Sequence, residues 1–163
     1  MENNVNIIEW KEIDEISTNI AKRIVKENYS PDIIISIVRG GMIPSVILSH
    51  KLNVRDIENV VVKETIDDSI NAQKLMPQIQ ENKNLYRIRD KKVLIVDDIM
   101  GSGETIRKLK QEIQKYNPQE IKTAIYFVNK TNWKKANNTQ YSELIEYIGK
   151  ELEGWVIFPW ENK

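Results

Sequence analysis

Cysteine is absent from this 163-residue chain, which excludes disulfide frameworks and thiolate zinc sites and suits a reducing compartment. Net charge is absent as well. The 24 basic side chains balance 24 acidic ones, so nothing matches the basic footprint of a nucleic-acid binder, and a small discrete ligand becomes the better expectation. No apolar run reaches the ~18 residues of a membrane span, and the opening MENNVNIIEW lacks a basic region ahead of a long apolar segment. These absences lead us to expect a soluble cytoplasmic protein with no membrane partner. The chain also lacks repeats, low-complexity tracts and interdomain linkers, and its length suits one domain, 1–163, that buries a real core.

What is present alternates. Residues 11–27 place Ile13, Ile16, Ile20 and Ile24 at three- and four-residue steps, the stripe of an amphipathic helix. IIISIV, Ile33 to Val38, is a short β-branched run that enters Arg39-Gly40-Gly41, so a buried strand ends there in a turn. MIPSVILSHKL restarts helically, with Pro44 tolerable in its first turn. Val60 to Val62 is a strand candidate, and the polar segment 64–90 is the most loop-like part of the chain. Val93 to Val96, a helix from about Glu104 to Tyr116, and Thr123 to Val128 complete a strand, helix, strand series. The order predicts an α/β fold, a parallel sheet flanked by helices on both faces. ELEGWVIFPWENK at the end reads as a further apolar strand or loop.

In such a sheet, ligands collect at the carboxyl ends of the strands. VLIVDDIMGSGETI, Val93 to Ile106, puts two acids there. The turn Gly101-Ser102-Gly103-Glu104-Thr105 offers backbone N–H groups at a helix start, where the dipole favours an anion, and the hydroxyls of Ser102 and Thr105 add donors. A phosphate suits that turn. Asp97 and Asp98 are acceptors when ionised, so they suit ribose hydroxyls or a magnesium shell. Together the two features ask for a sugar phosphate. Other phosphate motifs fail on single residues: a Walker A loop needs a lysine where Glu104 follows Gly103, and a dinucleotide fingerprint needs a third glycine where Ile106 stands. A phosphoacceptor receiver domain would carry its acidic pair on the first strand, not past the middle of the chain.

The apolar run, two acids and Gly/Thr-rich turn resemble the phosphoribosyl-pyrophosphate motif of the type I phosphoribosyltransferases, and IIISIVRGG resembles their pyrophosphate loop. That resemblance implies that Val38, Arg39, Gly40 and Gly41 give backbone donors and one guanidinium to the leaving pyrophosphate, often through a non-proline cis peptide. It implies Mg2+ at Asp97 and Asp98, held through water or substrate. Two further segments resemble the xanthine-guanine and hypoxanthine subgroup. TAIYFVNK ends in Lys130, where 6-oxopurine enzymes place a lysine that donates to the 6-oxo group, and in EGWVIFPWE, Trp155 and Val156 resemble the hood that covers the purine. The similarity runs from about Trp10 to Glu161. It implies a single domain with a mobile lid at about 64–88, a base-binding hood at about 130–163, phosphoribosyl pyrophosphate and a purine as partners, and a homo-oligomer.

Two positions depart from that pattern. Where 6-oxopurine enzymes carry an aspartate facing the imidazole nitrogen of the base, three places after the second acid, this chain has Gly101. Lys63-Glu64-Thr65 stands where a lid Ser-Tyr pair is sought. A transferase for another or modified base, and a non-catalytic sensor of phosphoribosyl pyrophosphate, are the alternatives these departures leave open. Trp160 is expected in the core, Glu161 as a surface acid, and His50 on the polar side of its helix. Lys91-Lys92 and Lys134-Lys135 read as solvated charge.

Overall fold

The computed structural model describes residues 4–65 and 74–161. A first strand, β1 (Val5–Ile7), leads into α1 (Trp10–Lys26), which buries Ile13, Ile16, Ile20 and Ile24 as their spacing predicts. Strand β2 (Ile33–Val38) is covered on both faces, which is why its run is apolar without alternation. Helix α2 (Met42–Leu52) carries Pro44 in its first turn and stops at Asn53, whose φ of 55° closes it in the left-handed region. His50 lies exposed in its last turn. Then come β3 (Ile57–Thr65), β4 (Lys74–Ile79), β5 (Lys92–Met100), α3 (Glu104–Gln114), β6 (Glu120–Asn129), α4 (Lys130–Ala136), β7 (Tyr147–Leu152) and β8 (Trp155–Ile157).

Six strands form one sheet in the order β4-β3-β2-β5-β6-β7. Every neighbouring pair from β3 to β7 is parallel, as expected, and β4 adds an antiparallel edge beside β3. The helices take both faces. The α1 isoleucines and Leu48 of α2 pack with Ile34, Leu94, Val96, Ala124 and Tyr126 on one side. On the other, Ile106, Leu109 and Ile113 of α3 pack with Ile33, Ile35, Val93, Ile95 and Ile125. Successive strand residues thus serve opposite cores.

The loop-like reading of 64–90 is corrected. Residues Lys74–Ile79 pair as the edge strand, and Leu85–Ile88 forms a 3-10 turn whose Leu85 and Ile88 are buried. The edge strand's sequence, KLMPQI, contains a proline and no apolar–polar alternation, so it shows no strand period, and an edge is where a strand tolerates proline. Of the lid expected at 64–88, residues 66–73 lie outside the described residues.

At the far end β8 pairs in parallel with β1, making a small second sheet. Trp160 stacks on Phe158 at 4.7 Å and 5° and packs against the α1 core, as expected. No described helix is long and apolar enough to cross a membrane.

Candidate active site

Three adjacent parallel strands, β2, β5 and β6, end at one edge of the sheet, and each delivers one of the segments singled out from the sequence. From β2 comes the Val38-Arg39-Gly40-Gly41 loop, whose Val38–Arg39 peptide is cis. Val38 is half-buried and Arg39 exposed, and the Gly41 amide donates to the Ile37 carbonyl at 2.8 Å as α2 begins.

Strand β5 delivers the acids, and they are not equivalent. Adjacent strand residues face opposite ways. Asp97 is half-buried, whereas Asp98 is buried to 8% exposure beneath the β2 loop. A Cβ added to Gly40 would lie 2.3 Å from Asp98 Oδ2, so only glycine lets the loop cross the carboxyl this closely. Asp98 Oδ1 accepts from the Ile99 amide at 2.6 Å, and Asp97 Oδ1 accepts from the Asp98 amide at 3.0 Å. Burial, with the Glu161 carboxylate adding to it, pushes the Asp98 carboxyl up to about 7. Near neutral pH it can therefore donate as well as accept. Glu161, expected as a surface acid, is exposed and also accepts from the Phe158 amide at 2.8 Å.

The turn after β5 opens α3 without a side-chain cap. Gly103, with φ 82°, is the N-cap of α3 and makes no side-chain cap, so first-turn amides point out of the helix start. Ser102 and Thr105 are half-buried and Glu104 is exposed. The back of the turn is pinned. Arg107 Nη1 donates to the Ser102 carbonyl at 3.1 Å and Asn137 Nδ2 donates to the same oxygen at 2.9 Å, while Arg107 Nη2 donates to Asn137 Oδ1 at 2.6 Å. The Arg107 guanidinium lies over the Trp133 ring, 5.2 Å from its centroid. Gly101 does not have positive φ. A Cβ there would meet Asn132 first, at 3.4 Å, so the position tolerates a side chain.

Strand β6 ends in Asn129, and Lys130 opens α4, a helix the sequence reading did not include. Its signal was present: Asn129 is an N-cap residue whose Oδ1 accepts from the Asn132 amide at 3.1 Å. Asn129 also reaches the hood, donating from Nδ2 to the Gly154 carbonyl at 2.8 Å. The Lys130 ammonium is 3.5 Å from Glu151 Oε2 on β7, and Glu151 in turn accepts from the Tyr141 hydroxyl. Glu151 was missed because a lone acid on a half-exposed strand carries no motif. In the hood, Trp155 is 38% exposed, whereas the Val156 side chain is buried in the core. The Trp155 carbonyl accepts from Asn6 Nδ2 at 3.2 Å.

Among the described residues no cluster of three His, Cys, Asp or Glu side chains is placed to hold a metal ion. Asp97 and Asp98 alone match a hard cation that takes most of its oxygens from a phosphate ligand and water.

Comparison with known proteins agrees with this geometry. Residues 6–161 match the model of the phosphoribosyl transferase domain family. A xanthine-guanine phosphoribosyltransferase of Idiomarina loihiensis is 24% identical over 94% of this chain and 85% of its own length. Xanthine phosphoribosyltransferase 1 of Saccharomyces cerevisiae is also 24% identical, over 98% of this chain and 91% of its own. Among solved structures, a purine phosphoribosyltransferase from Pyrococcus horikoshii superposes with a TM-score of 0.73 at 28% identity, covering 98% of this chain and 95% of the other.

Proposed function

The chain belongs to the phosphoribosyl transferase domain family, and from that premise we propose that it transfers the 5-phosphoribosyl group of phosphoribosyl pyrophosphate to a 6-oxopurine. The reading is carried by the convergence of three segments on one edge: the Arg39 loop from β2, the acids and turn from β5, and Lys130 from β6. Each matches one part of the reaction.

The 5-phosphate sits in the Gly101-Ser102-Gly103-Glu104-Thr105 turn, against amides and hydroxyls held rigid from behind by Arg107 and Asn137. Asp97 takes the ribose hydroxyls. Asp98 lies beneath Gly40 and couples the ribose end to the loop made by Val38, Arg39, Gly40 and Gly41, which receives the pyrophosphate. Arg39 brings charge-assisted donors to the leaving group. Lys130 donates to the 6-oxo group, and the Trp155 ring and the backbone around Val156 close over the base.

A ring nitrogen of the purine forms a bond to the anomeric carbon from the face opposite the pyrophosphate. The carbon–oxygen bond breaks with its electron pair leaving on pyrophosphate, and the ring proton passes to water. The transition state is oxocarbenium-like, so the protein contributes mostly positioning, charge stabilisation and exclusion of water. Magnesium, when bound, neutralises charge on the pyrophosphate oxygens. Asp97 and Asp98 would hold it through water or substrate. The rest of the reading is a lid within 64–88, a homo-oligomer and a cytoplasmic location.

The test is a panel of guanine, xanthine, hypoxanthine, adenine, orotate and uracil, each with phosphoribosyl pyrophosphate and magnesium, scored for pyrophosphate release. Turnover confined to 6-oxopurines is expected. Release only with adenine or a pyrimidine sinks the base assignment, and release with none sinks the activity.

A further inference from the structure

Gly101 brings no side chain to the end of β5, and the nearest side chain beside it is that of Asn132. The three atoms nearest a Cβ built on Gly101 would all belong to Asn132: Cβ at 3.4 Å, Nδ2 at 3.5 Å and Cγ at 3.9 Å. Asn132 is half-buried, and its side-chain amide makes no hydrogen bond among the described residues. Its backbone, by contrast, is fixed: the Asn132 amide donates to Asn129, which also ties this turn to the hood at Gly154. An amide anchored by its own backbone, unpartnered at its tip, and lying beside a glycine is placed to meet a ligand. Lys130, two residues earlier, begins the same turn.

The chemistry of that ligand edge follows from the pair. A 6-oxopurine presents two adjacent acceptors, O6 and N7, whereas adenine presents a donor beside the N7 acceptor. An ammonium can only donate, and the neutral amide has Nδ2–H groups to give. Resting on the phosphoribosyl-transfer reading above, we propose that Asn132 is a base-binding residue: its amide donates to N7 of the bound purine beside Gly101, while Lys130 donates to O6 and so supplies the preference for a 6-oxopurine. The same edge is thus read by a cation and a neutral amide, with no carboxylate from position 101. The N7 lone pair stays an acceptor throughout, so the amide recognises the base and moves no proton.

Guanine and 7-deazaguanine, which lacks the N7 acceptor, separate this role from a structural one. The wild type should bind guanine roughly tenfold more tightly than 7-deazaguanine, the value of one well-placed hydrogen bond, and affinity is the readout because removing N7 also changes the reactivity of N9. Asn132→Ala, and Asn132→Leu as a variant that keeps the volume, should lose that factor with guanine only, leaving 7-deazaguanine unchanged and the preference near one. Neither change touches the backbone hydrogen bond to Asn129, and unaltered thermal melting checks this. Equal losses with both bases would show a structural role and overturn the inference, as would a preference that survives both substitutions. A wild type active on 6-oxopurines that does not distinguish the two bases overturns it too, while leaving the transfer reading intact. A wild type that binds phosphoribosyl pyrophosphate yet uses no purine overturns both.

Discussion

The contact between Gly40 and Asp98 gives the sharpest residue-scale expectation. Gly40→Ala would drive a methyl into a carboxyl 2.3 Å away that is already held by the Ile99 amide, so loop and acid must separate. Displacements of this size at reacting groups cost roughly a hundredfold in kcat/KM. We expect that loss for phosphoribosyl pyrophosphate with the fold retained, whereas Gly101→Ala, which finds ordinary contact distances, should melt like the wild type. Comparable kinetics for wild type and Gly40→Ala would dissociate the loop from the acid. The acid pair was legible in the sequence as a motif. Its asymmetry was half legible: alternation along a strand says that Asp97 and Asp98 face opposite ways, but only the crossing of the β2 loop buries one of them. Lys130 shows the same limit. Its strand-end position could be read, but its Glu151 partner comes from a strand about twenty residues on. Lys130→Ala should damage 6-oxopurine use by the ~1.5–3 kcal/mol of a charge-assisted hydrogen bond, with phosphoribosyl-pyrophosphate binding preserved. An equal loss with every base would show that Lys130 does not read the oxo group.

At the scale of elements, the Gly101-Ser102-Gly103-Glu104-Thr105 turn depends on the C-terminal end of α4, which braces it from behind. Arg107 from α3 and Asn137 from the end of α4 both donate to the Ser102 carbonyl, and Arg107 rests on Trp133. Asn137→Ala removes its hydrogen bond to Ser102 and leaves Arg107 without an acceptor at Asn137. A loss of about 1–2 kcal/mol is expected, seen as a melting temperature lower by roughly 2–8 °C and a raised KM for phosphoribosyl pyrophosphate. An unchanged KM with a lowered melting temperature would mean that the turn keeps its shape without this brace. The elements themselves were legible wherever burial imposed a pattern. The isoleucine stripe of α1 and the two-sided apolar runs of β2 and β5 exist because both sides of the sheet are covered. Edge strand β4 and the short α4 were not legible. The first, KLMPQI, contains a proline and no apolar–polar alternation, and the second is one N-capping asparagine and seven residues, shorter than periodicity can resolve.

For the whole molecule, the attachment of α1 to the sheet runs through three phenols, and this makes its stability sensitive to alkali. The Tyr126 hydroxyl is 2.6 Å from Ser17 Oγ in α1. Tyr147 donates to Glu27, just past the helix, at 2.9 Å, and Tyr29, two residues later, donates to the Val93 carbonyl on β5 at 2.7 Å. Burial is the first cause that raises all three phenols above the ordinary tyrosine range, with nearby acids adding to it: Glu120 and Glu146 for Tyr29, Asp14 for Tyr126, and Glu27 for Tyr147. A phenol whose folded value lies above its unfolded one favours the fold in full below about pH 10. That contribution is lost as pH rises past the unfolded value toward the higher folded one. Lys122 sits over the Tyr29 and Tyr147 rings and pairs with Glu27. Arg23 also lies over the Tyr147 ring. Urea unfolding from pH 8 to pH 11, followed by circular dichroism, should therefore show stability falling steeply above pH 10. The Tyr29→Phe, Tyr126→Phe, Tyr147→Phe triple variant removes the phenols. It should start less stable at pH 8, by about 1 kcal/mol for each lost hydrogen bond, and then decline less than the wild type, so that the two curves converge. Parallel curves across the range would show that the phenols do not cause the alkaline loss and leave them with packing alone.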